Sequence, residues 1–365
     1  MRVVLTGGGT GGHIYPALAL ARVIQAREPQ AEFLYIGTEK GLESRLVPEA
    51  GLPFKTIRIQ GLKRSLSWYN VKTAYYMWES VRRTQQLLKD FQPDVVVGTG
   101  GYVCGPVLYA ASRLGIPSVI HEQNSIAGLT NQFLSRFVDR ICVCFPESQA
   151  SFGRFQNKVV FTGNPRAQEV AREEETVDLT RYGFDPDKKT VLIFGGSRGA
   201  QKINETLLEL LPDFATKPYQ VLLATGNRYF EEFKIAYPGL DEYDNIRAVA
   251  YIPDMPAHFK TVDLVVCRSG ATTLTELEAL GTPSILIPSP NVTANHQEKN
   301  AQSLVNHGAA EMLIEADLTA KALLERIDYI MTDDAYRQEL AQASQALGVP
   351  DAGDRIYQEI RQLID

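Results

Sequence analysis

A chain of 365 residues is too long for one ordinary hydrophobic core and suits two domains. Its 44% hydrophobic against 22% charged content excludes a disordered chain, and a net charge of −6 excludes a general nucleic-acid footprint. No nucleic-acid partner is expected, and any anionic ligand must meet a local patch.

The first residues enter a strand, and no apolar run approaches the roughly 20 residues of a membrane span, so a cytoplasmic protein is expected. Cys104, Cys142, Cys144 and Cys267 lack paired C-x-x-C spacing and read as reduced, mostly buried thiols.

The run Arg2-Val-Val-Leu-Thr6 reads as a strand, Gly7-Gly-Gly-Thr-Gly-Gly-His13 as a glycine turn, and a helical pattern begins near Pro16. Strand, glycine turn and helix together present unpaired N–H groups and a positive dipole end to an anion, which predicts a phosphate or sugar-phosphate site. Gly7, Gly9 and Gly12 also fit the G-x-G-x-x-G spacing of a dinucleotide fold, which wants an acid at the end of the second strand. That strand, over 32–36, runs into Gly37-Thr-Glu39, where Glu39 stands late for the task. His13 is more telling. An imidazole where the chain turns into the helix lies on the carboxyl side of the first strand, where open α/β sheets bind ligands. It is an active-site candidate, with a structural histidine as the alternative.

Apolar strands and helical patterns then alternate: a helix over 41–50, a strand over 54–59, a helix over 72–90, a strand over 93–98, a helix over 107–114 and a strand over 118–121. Such alternation predicts a parallel sheet covered on both faces. The glycine loop Gly98-Thr-Gly-Gly-Tyr102 and the polar group Glu122-Gln-Asn124 each follow a strand and should gather along one sheet edge.

Between the two glycine loops of this half, 7–12 and 98–101, lie Lys63, Arg64, Trp68, Tyr69, Tyr75, Tyr76, Trp78, Arg82 and Arg83. This aromatic-basic stretch is either a core-packing helix or a surface patch whose rings enter a membrane interface while its cations meet anionic headgroups.

Phe161-Thr-Gly-Asn-Pro-Arg166 ends the first half, and the polar segment over 173–187 reads as a linker. Asp185-x-Asp187 lies in a turn before a strand, which argues against metal binding. The second half restarts with a strand over 190–194, the loop Gly195-Gly-Ser-Arg-Gly-Ala200 and a helix to residue 211, repeating the N-terminal unit. Two similar α/β domains facing each other are expected: 1–164, and 165–344, with a C-terminal helix about 345–365 packing back on the first through Ile356, Ile360 and Leu363.

Further strands read at 220–224, 246–251, 264–267 and 284–287, and Arg268-Ser-Gly-Ala-Thr-Thr-Leu-Thr-Glu276 opens a helix. Gly270 supplies the tight turn, Ser269 and Thr272 caps or hydroxyls, and Glu276 a carboxylate for two vicinal ribose hydroxyls or for ordinary dipole complementation. Asn295-His-Gln-Glu-Lys-Asn300 offers the amides and imidazole that sugar hydroxyls need.

GGGTGGHIYPALALA, GTGGYVCGP, HEQNSIAGLTN, TGNPR, GGSRGA, CRSGATTLTELEALG and HQEKNA occur in this order across nearly the whole chain. With them the sequence closely resembles the MurG family, differing mildly at Arg198, where Gln is frequent, and at His296. The resemblance implies an α/β GT-B glycosyltransferase, two Rossmann-like domains facing across a cleft, the first for a lipid-linked acceptor and the second for the donor. It implies inverting transfer of N-acetylglucosamine from UDP-GlcNAc to the 4-hydroxyl of the MurNAc-pentapeptide of undecaprenyl-pyrophosphoryl lipid I, forming lipid II in peptidoglycan synthesis. A GT-B enzyme acting on another lipid such as diacylglycerol is the alternative; a dinucleotide oxidoreductase and a nucleotide-binding scaffold fit less well.

The resemblance further implies Ser197 and its loop at the diphosphate, Ile252 at uracil through its backbone, Glu276 at ribose and Gln297 at the sugar. Thr10, Gly11, Gly12, Asn124 and Arg166 correspond to other donor contacts, and Ala271, Thr272, Thr273, Leu274 and Thr275 to more of the nucleotide site. His13 is expected as general base, with Glu122 replacing or assisting it, and Tyr102 and His121 on the acceptor side. No metal or other cofactor is expected, because helix dipoles and side chains can stabilise a departing diphosphate. The acceptor's lipid anchor implies a peripheral enzyme on the cytoplasmic face of the plasma membrane, docked through the aromatic-basic stretch.

Overall fold

Runs such as Val3-Val4-Leu5 and Val95-Val96-Val97, without solvent exposure on any residue, suit strands covered on both faces and little else. In the computed structural model, which describes residues 1–60, 68–196 and 199–365, they form the centre of the first of two parallel sheets. Lys63 and Arg64 of the aromatic-basic stretch, and Ser197 and Arg198 of the second glycine loop, lie outside the described residues.

The first compact unit comprises Met1–Glu169 and Val349–Asp365. Its strands are β1 (Arg2–Thr6), β2 (Glu32–Thr38), β3 (Phe54–Ile57), β4 (Val95–Gly98), β5 (Ser118–Glu122), β6 (Arg140–Val143) and β7 (Val159–Phe161), paired in the order β3-β2-β1-β4-β5-β6-β7. Its helices are α1 (Gly11–Arg27), α2 (Glu43–Glu49), α3 (Trp68–Phe91), α4 (Cys104–Arg113) and α5 (Leu129–Leu134). The next helix, α6 (Pro165–Arg172), runs over the boundary between the units.

The second unit, Val170–Gly348, carries β8 (Thr190–Phe194), β9 (Gln220–Ala224), β10 (Ile246–Val249), β11 (Leu264–Cys267), β12 (Ser284–Leu286) and β13 (Glu311–Met312) in the order β10-β9-β8-β11-β12-β13. Around them stand α7 (Gln201–Phe214), α8 (Phe230–Ala236), α9 (Met255–Phe259), α10 (Ala271–Leu280), α11 (His296–Asn306), α12 (Ala320–Thr332) and α13 (Asp334–Leu347). The last helix, α14 (Ala352–Ile364), belongs to the first unit.

Each sheet reverses its strand order once, between β1 and β4 in the first and between β8 and β11 in the second. Thr6 pairs in register with Gly98, and Phe194 with Cys267, so each reversal sets two loops side by side at the carboxyl ends of the strands. Open α/β sheets bind ligands at such a crevice.

The C-terminal helix is held by packing and charge together. Ile356 and Ile360 are fully buried in the core cluster that holds β1 and α1. Gly353 lies so close to α1 that a Cβ there would fall 2.7 Å from Val23 Cγ2. Asp354 accepts two hydrogen bonds from Arg27, at 2.9 and 2.8 Å, and Tyr357 donates to Glu28 at 2.8 Å.

The polar segment over 173–187 is not a linker. Val177, Leu179 and Phe184 are buried, the Lys260 ammonium donates to the Glu173 carbonyl, and Asp185 N donates to Gln220 Oε1 at 2.6 Å, so these residues fold onto the second unit. The first unit correspondingly runs to Glu169 rather than 164 and resumes at Val349 rather than 345. Cys104, Cys142 and Cys267 are buried and Cys144 half-buried, all four as free thiols; burial pushes those of Cys104 and Cys142 up to about 12. Among the described residues no helix is long and apolar enough to cross a membrane.

Replacing Ile356 with Ala leaves a cavity between α14 and the sheet and is expected to destabilise the first unit by about 2–4 kcal/mol. Both tryptophans, Trp68 and Trp78, lie in this unit, so urea unfolding followed by tryptophan fluorescence reads it directly. An unchanged midpoint would show that α14 adds nothing to its stability.

Candidate active site

In the first unit, the loop after β1 and the loop after β4 touch backbone to backbone. Gly8 N donates to Gly100 O at 3.2 Å, and a Cβ on Gly101, whose φ is +84°, would lie 2.4 Å from Gly8 O. Only glycine permits this approach. The Thr99 hydroxyl donates to the His13 carbonyl at 2.6 Å, fixing the first turn of α1 to β4. His13 itself stands partly exposed beside Gly100, where a Cβ would fall 2.6 Å from His13 Nδ1.

An acid does meet the first glycine loop, but it is Glu43 at the start of α2, which the sequence reading passed over, while Glu39 is exposed. Glu43 has no solvent exposure. It accepts from Gly9 N at 3.1 Å, and from Thr38 N and the Thr38 hydroxyl at 3.1 and 2.5 Å. Tyr35, also buried, donates its hydroxyl to Gly7 O at 2.8 Å. The amide of Gly9 is therefore spent on the protein's own carboxylate. Anion-binding capacity at this end rests on the orphan N–H groups of the first turn of α1, among them those of Gly11 and Gly12; the N-cap Thr10 makes no side-chain cap.

At the end of β5, strand alternation separates neighbouring residues onto opposite faces. His121 and Gln123 point toward α1. Gln123 Oε1 lies 3.0 Å from His13 Nδ1, and Gln123 Nε2 lies 2.8 Å from His121 Nδ1 and 2.8 Å from Thr99 O. His121 Nε2 is 3.0 Å from Gly163 O, and burial lowers its pKa to about 4, which keeps this ring neutral.

Glu122 points the other way. Its Oε1 accepts from Asn124 N and Nδ2 at 3.0 and 3.1 Å, and its Oε2 from Gly128 N and Asn131 Nδ2 at 2.9 and 2.8 Å. Both carboxylate oxygens thus hold the loop between β5 and α5, which is a scaffold's task rather than a base's. Asn124 is fixed by the same contact. Tyr102, 39% exposed, stands beside the first glycine loop, its Cε1 lying 3.9 Å from where a Gly9 Cβ would be. Arg166, at the start of α6, pairs with Glu169, which also pairs with Arg22 at 2.5 Å.

In the second unit, the switch point between β8 and β11 opens into a cavity of about 580 Å3. Gly195, Gly196 and Gly199 form one wall, and Gly270, Thr273 and Gln297 line another. A Cβ on Gly199, whose φ is +73°, would lie 2.2 Å from Thr225 O, so this turn too demands glycine. Gly270, the N-cap of α10, offers no side chain, so among the described residues the first N–H groups of α10 have no side-chain cap and, by helix geometry, no intrahelical partner.

Of the residues expected on α10, Thr273 lines the cavity. Ala271, Leu274, Thr275 and Glu276 are buried, and Leu274 N bonds back to Gly270 O at 3.1 Å. The Thr272 hydroxyl is buried without a hydrogen-bond partner among the described residues. Ser269 donates its hydroxyl to Gln297 O at 2.8 Å, and Gln297 Oε1 accepts from Ser289 N at 2.8 Å, leaving the Nε2 hydrogens of Gln297 for a ligand. Ile252 is buried in the segment after β10.

Two charged residues of this wall escaped the sequence reading. Arg268 and Glu315 form an ion pair at the cavity, and Arg268 Nη1 also donates to Ile287 O and Pro288 O at 3.1 Å, bracing the segment that carries Ser289. Their pairing spans 47 residues of sequence and leaves no local pattern.

The chain matches the glycosyltransferase family 28 N-terminal domain over residues 3–143 and the family 28 C-terminal domain over residues 190–356. It is 51% identical over 364 residues, covering all of both chains, to the UDP-N-acetylglucosamine--N-acetylmuramyl-(pentapeptide) pyrophosphoryl-undecaprenol N-acetylglucosamine transferase of Bacillus cytotoxicus. The enzyme of the same name from Halalkalibacterium halodurans is 51% identical over 363 residues, covering 100% of this chain and 99% of that one. The crystal structure of Acinetobacter baumannii MurG superposes with a TM-score of 0.79 at 29% identity, covering 99% of each chain. A UDP-GlcNAc 2-epimerase from Neisseria meningitidis, with a TM-score of 0.72 at 14% identity over 99% of this chain and 100% of its own, shares the fold alone. The two parallel-sheet Rossmann-like domains are those of a GT-B glycosyltransferase. Matched by family 28 in both units and by these transferases along its whole length, the chain belongs to the MurG family of glycosyltransferases.

Proposed function

We propose that this enzyme moves N-acetylglucosamine from UDP-N-acetylglucosamine to the 4-hydroxyl of the MurNAc-pentapeptide of lipid I, with inversion at the anomeric carbon. The names of its relatives, at 51% identity over the full chain, support this donor and acceptor. The observation that carries the chemistry is His13, held at the switch point of the first sheet with Nδ1 bonded to Gln123. The hydroxyl oxygen attacks the anomeric carbon, its proton passes to His13 Nε2, and the bond from that carbon to the diphosphate breaks, releasing UDP.

The donor belongs to the cavity of the second unit. There the orphan N–H groups at the start of α10 meet the negative charge that grows on the diphosphate, Gln297 donates to sugar hydroxyls and Glu276 takes the ribose. Uracil falls to the backbone of Ile252, and Ser197 adds a hydroxyl at the diphosphate. Fixed dipoles carry this charge in the proposal, so the reaction runs without a metal.

His13→Ala should lower kcat about 10²- to 10⁴-fold while leaving the Kd for UDP-N-acetylglucosamine within twofold. Transfer of labelled sugar to a lipid I analogue measures the first and calorimetry the second. Wild-type transfer should survive a chelator. Undiminished turnover in the variant would remove His13 from the chemistry, and wild-type transfer only to diacylglycerol would replace the acceptor.

Peripheral attachment to the cytoplasmic face of the plasma membrane completes the proposal. On α3, Tyr75 and Trp78 are 58% and 56% exposed, their ring centroids 6.3 Å apart, and the Arg82 guanidinium lies 4.8 Å from the Trp78 ring. Tyr76 turns inward at 6% exposed, so one helix serves the core with one face and shows rings and a cation on another. Such a mixture suits an anionic headgroup layer. A Tyr75→Ala, Trp78→Ala double variant should lose roughly tenfold in cosedimentation with phosphatidylglycerol vesicles. Unchanged binding would assign docking elsewhere.

A further inference from the structure

Gln123 makes an unusual set of contacts, and it was read in the sequence only as part of a polar cluster. Its Nε2 lies 2.8 Å from Thr99 O and 3.1 Å from His121 O. Backbone carbonyls only accept, so this end of the amide is the NH2 group whichever way the side chain is built. The other end, 3.0 Å from His13 Nδ1, must then be the carbonyl oxygen, which also only accepts. His13 Nδ1 must supply the hydrogen.

We infer that Gln123 is a positioning residue that fixes the tautomer of His13: it holds the ring proton on Nδ1 and leaves the basic lone pair on Nε2. The inference rests on the proposed role of His13 as base. A free imidazole prefers the opposite tautomer, with hydrogen on Nε2, which would turn a donor toward an approaching hydroxyl. The hydrogen bond at one ring nitrogen decides what the other can do.

The far end of the chain is fixed equally firmly. His121 Nε2, 3.0 Å from Gly163 O, carries its hydrogen there, so its Nδ1 accepts from Gln123 at 2.8 Å. Burial keeps this ring neutral, and a cationic His121 would place a second N–H against the Gln123 NH2 group. The polarity therefore runs one way from Gly163 O through His121 and Gln123 to His13. An amide also suits a recycling base better than a carboxylate. It accepts the Nδ1 hydrogen in both protonation states without adding a full negative charge that would hold the imidazolium against return of its proton. Two further features protect the contact. The Thr99 hydroxyl anchors the His13 carbonyl at 2.6 Å, and the missing Cβ of Gly100 leaves space beside Nδ1.

The test uses the full-length enzyme labelled with 15N-histidine. The chain has five histidines, and the His13 signals are assigned by difference from His13→Ala. In the wild type, neutral His13 should show a protonated Nδ1 and an unprotonated Nε2. In Gln123→Met, which keeps the volume and loses the acceptor, the proton should move predominantly to Nε2. With UDP-N-acetylglucosamine and a lipid I analogue, this variant should lose about 10- to 100-fold in kcat and less than threefold in donor KM. A wild-type His13 protonated on Nε2 overturns the inference even if the variant does not fold. So does a folded Gln123→Met enzyme with unchanged tautomer or unchanged kcat. If the wild type transfers no sugar, the functional reading fails while the tautomer measurement still judges the geometry.

Discussion

In the first unit two glycine loops lie backbone against backbone, and the rest of the site depends on that contact. Strand order reverses between β1 and β4, so the chain leaves the sheet at Thr6 and at Gly98 on adjacent strands. The two loops can lie against each other only without side chains, as the 2.4 Å from a Gly101 Cβ to Gly8 O shows. That contact sets the first turn of α1 against β4, where Thr99 takes hold of the His13 carbonyl. The backbone of His13 is thus placed by the two loops, and the Gln123 side chain holds the ring.

Strand alternation then divides the labour at the end of β5. Three successive residues divide between two tasks because adjacent side chains leave a strand on opposite faces. His121 and Gln123 serve His13, while Glu122 between them binds the segment leading to α5 through two backbone amides and two side-chain amides. A shift of one residue in register would exchange these tasks, bringing a carboxylate to the imidazole and an amide to the loop. The register is secured by Ile120 and Val119, both fully buried, one in each of the clusters on the two faces of the sheet.

Much of this was legible in the sequence, for identifiable reasons. The strands at 190–194, 220–224 and 264–267 stood out because central parallel strands are apolar on both faces, and His13 stood out because a titratable side chain closes a glycine turn. β6 and β7 were missed, being four and three residues long with no glycine punctuation before them. The segment over 173–187 looked like a linker because it is polar, although Val177, Leu179 and Phe184, spaced among those polar residues, suffice to fasten it to the second unit. The contact of Glu43 with the glycine loop and the Arg268 to Glu315 pair left no local pattern, because they span 34 and 47 residues. Glu122 was visible as an acid beside a histidine, but which face of β5 it occupies became decisive only once His13 was placed.

The two sheets share one geometry and spend it differently. Both present a glycine loop and a helix start at the switch point. In the first, a buried carboxylate already accepts from the Gly9 amide, which leaves anion binding to the N–H groups at the start of α1. In the second, the glycine-capped start of α10 opens on a cavity of about 580 Å3 with no side-chain cap among the described residues, and the ion pair of Arg268 and Glu315 braces the wall. An internal anion at one copy of the motif and an uncapped helix start at the other are enough to make a repeated phosphate-binding unit into two unlike sites. In the proposed reaction the first takes a proton and the second receives the departing diphosphate.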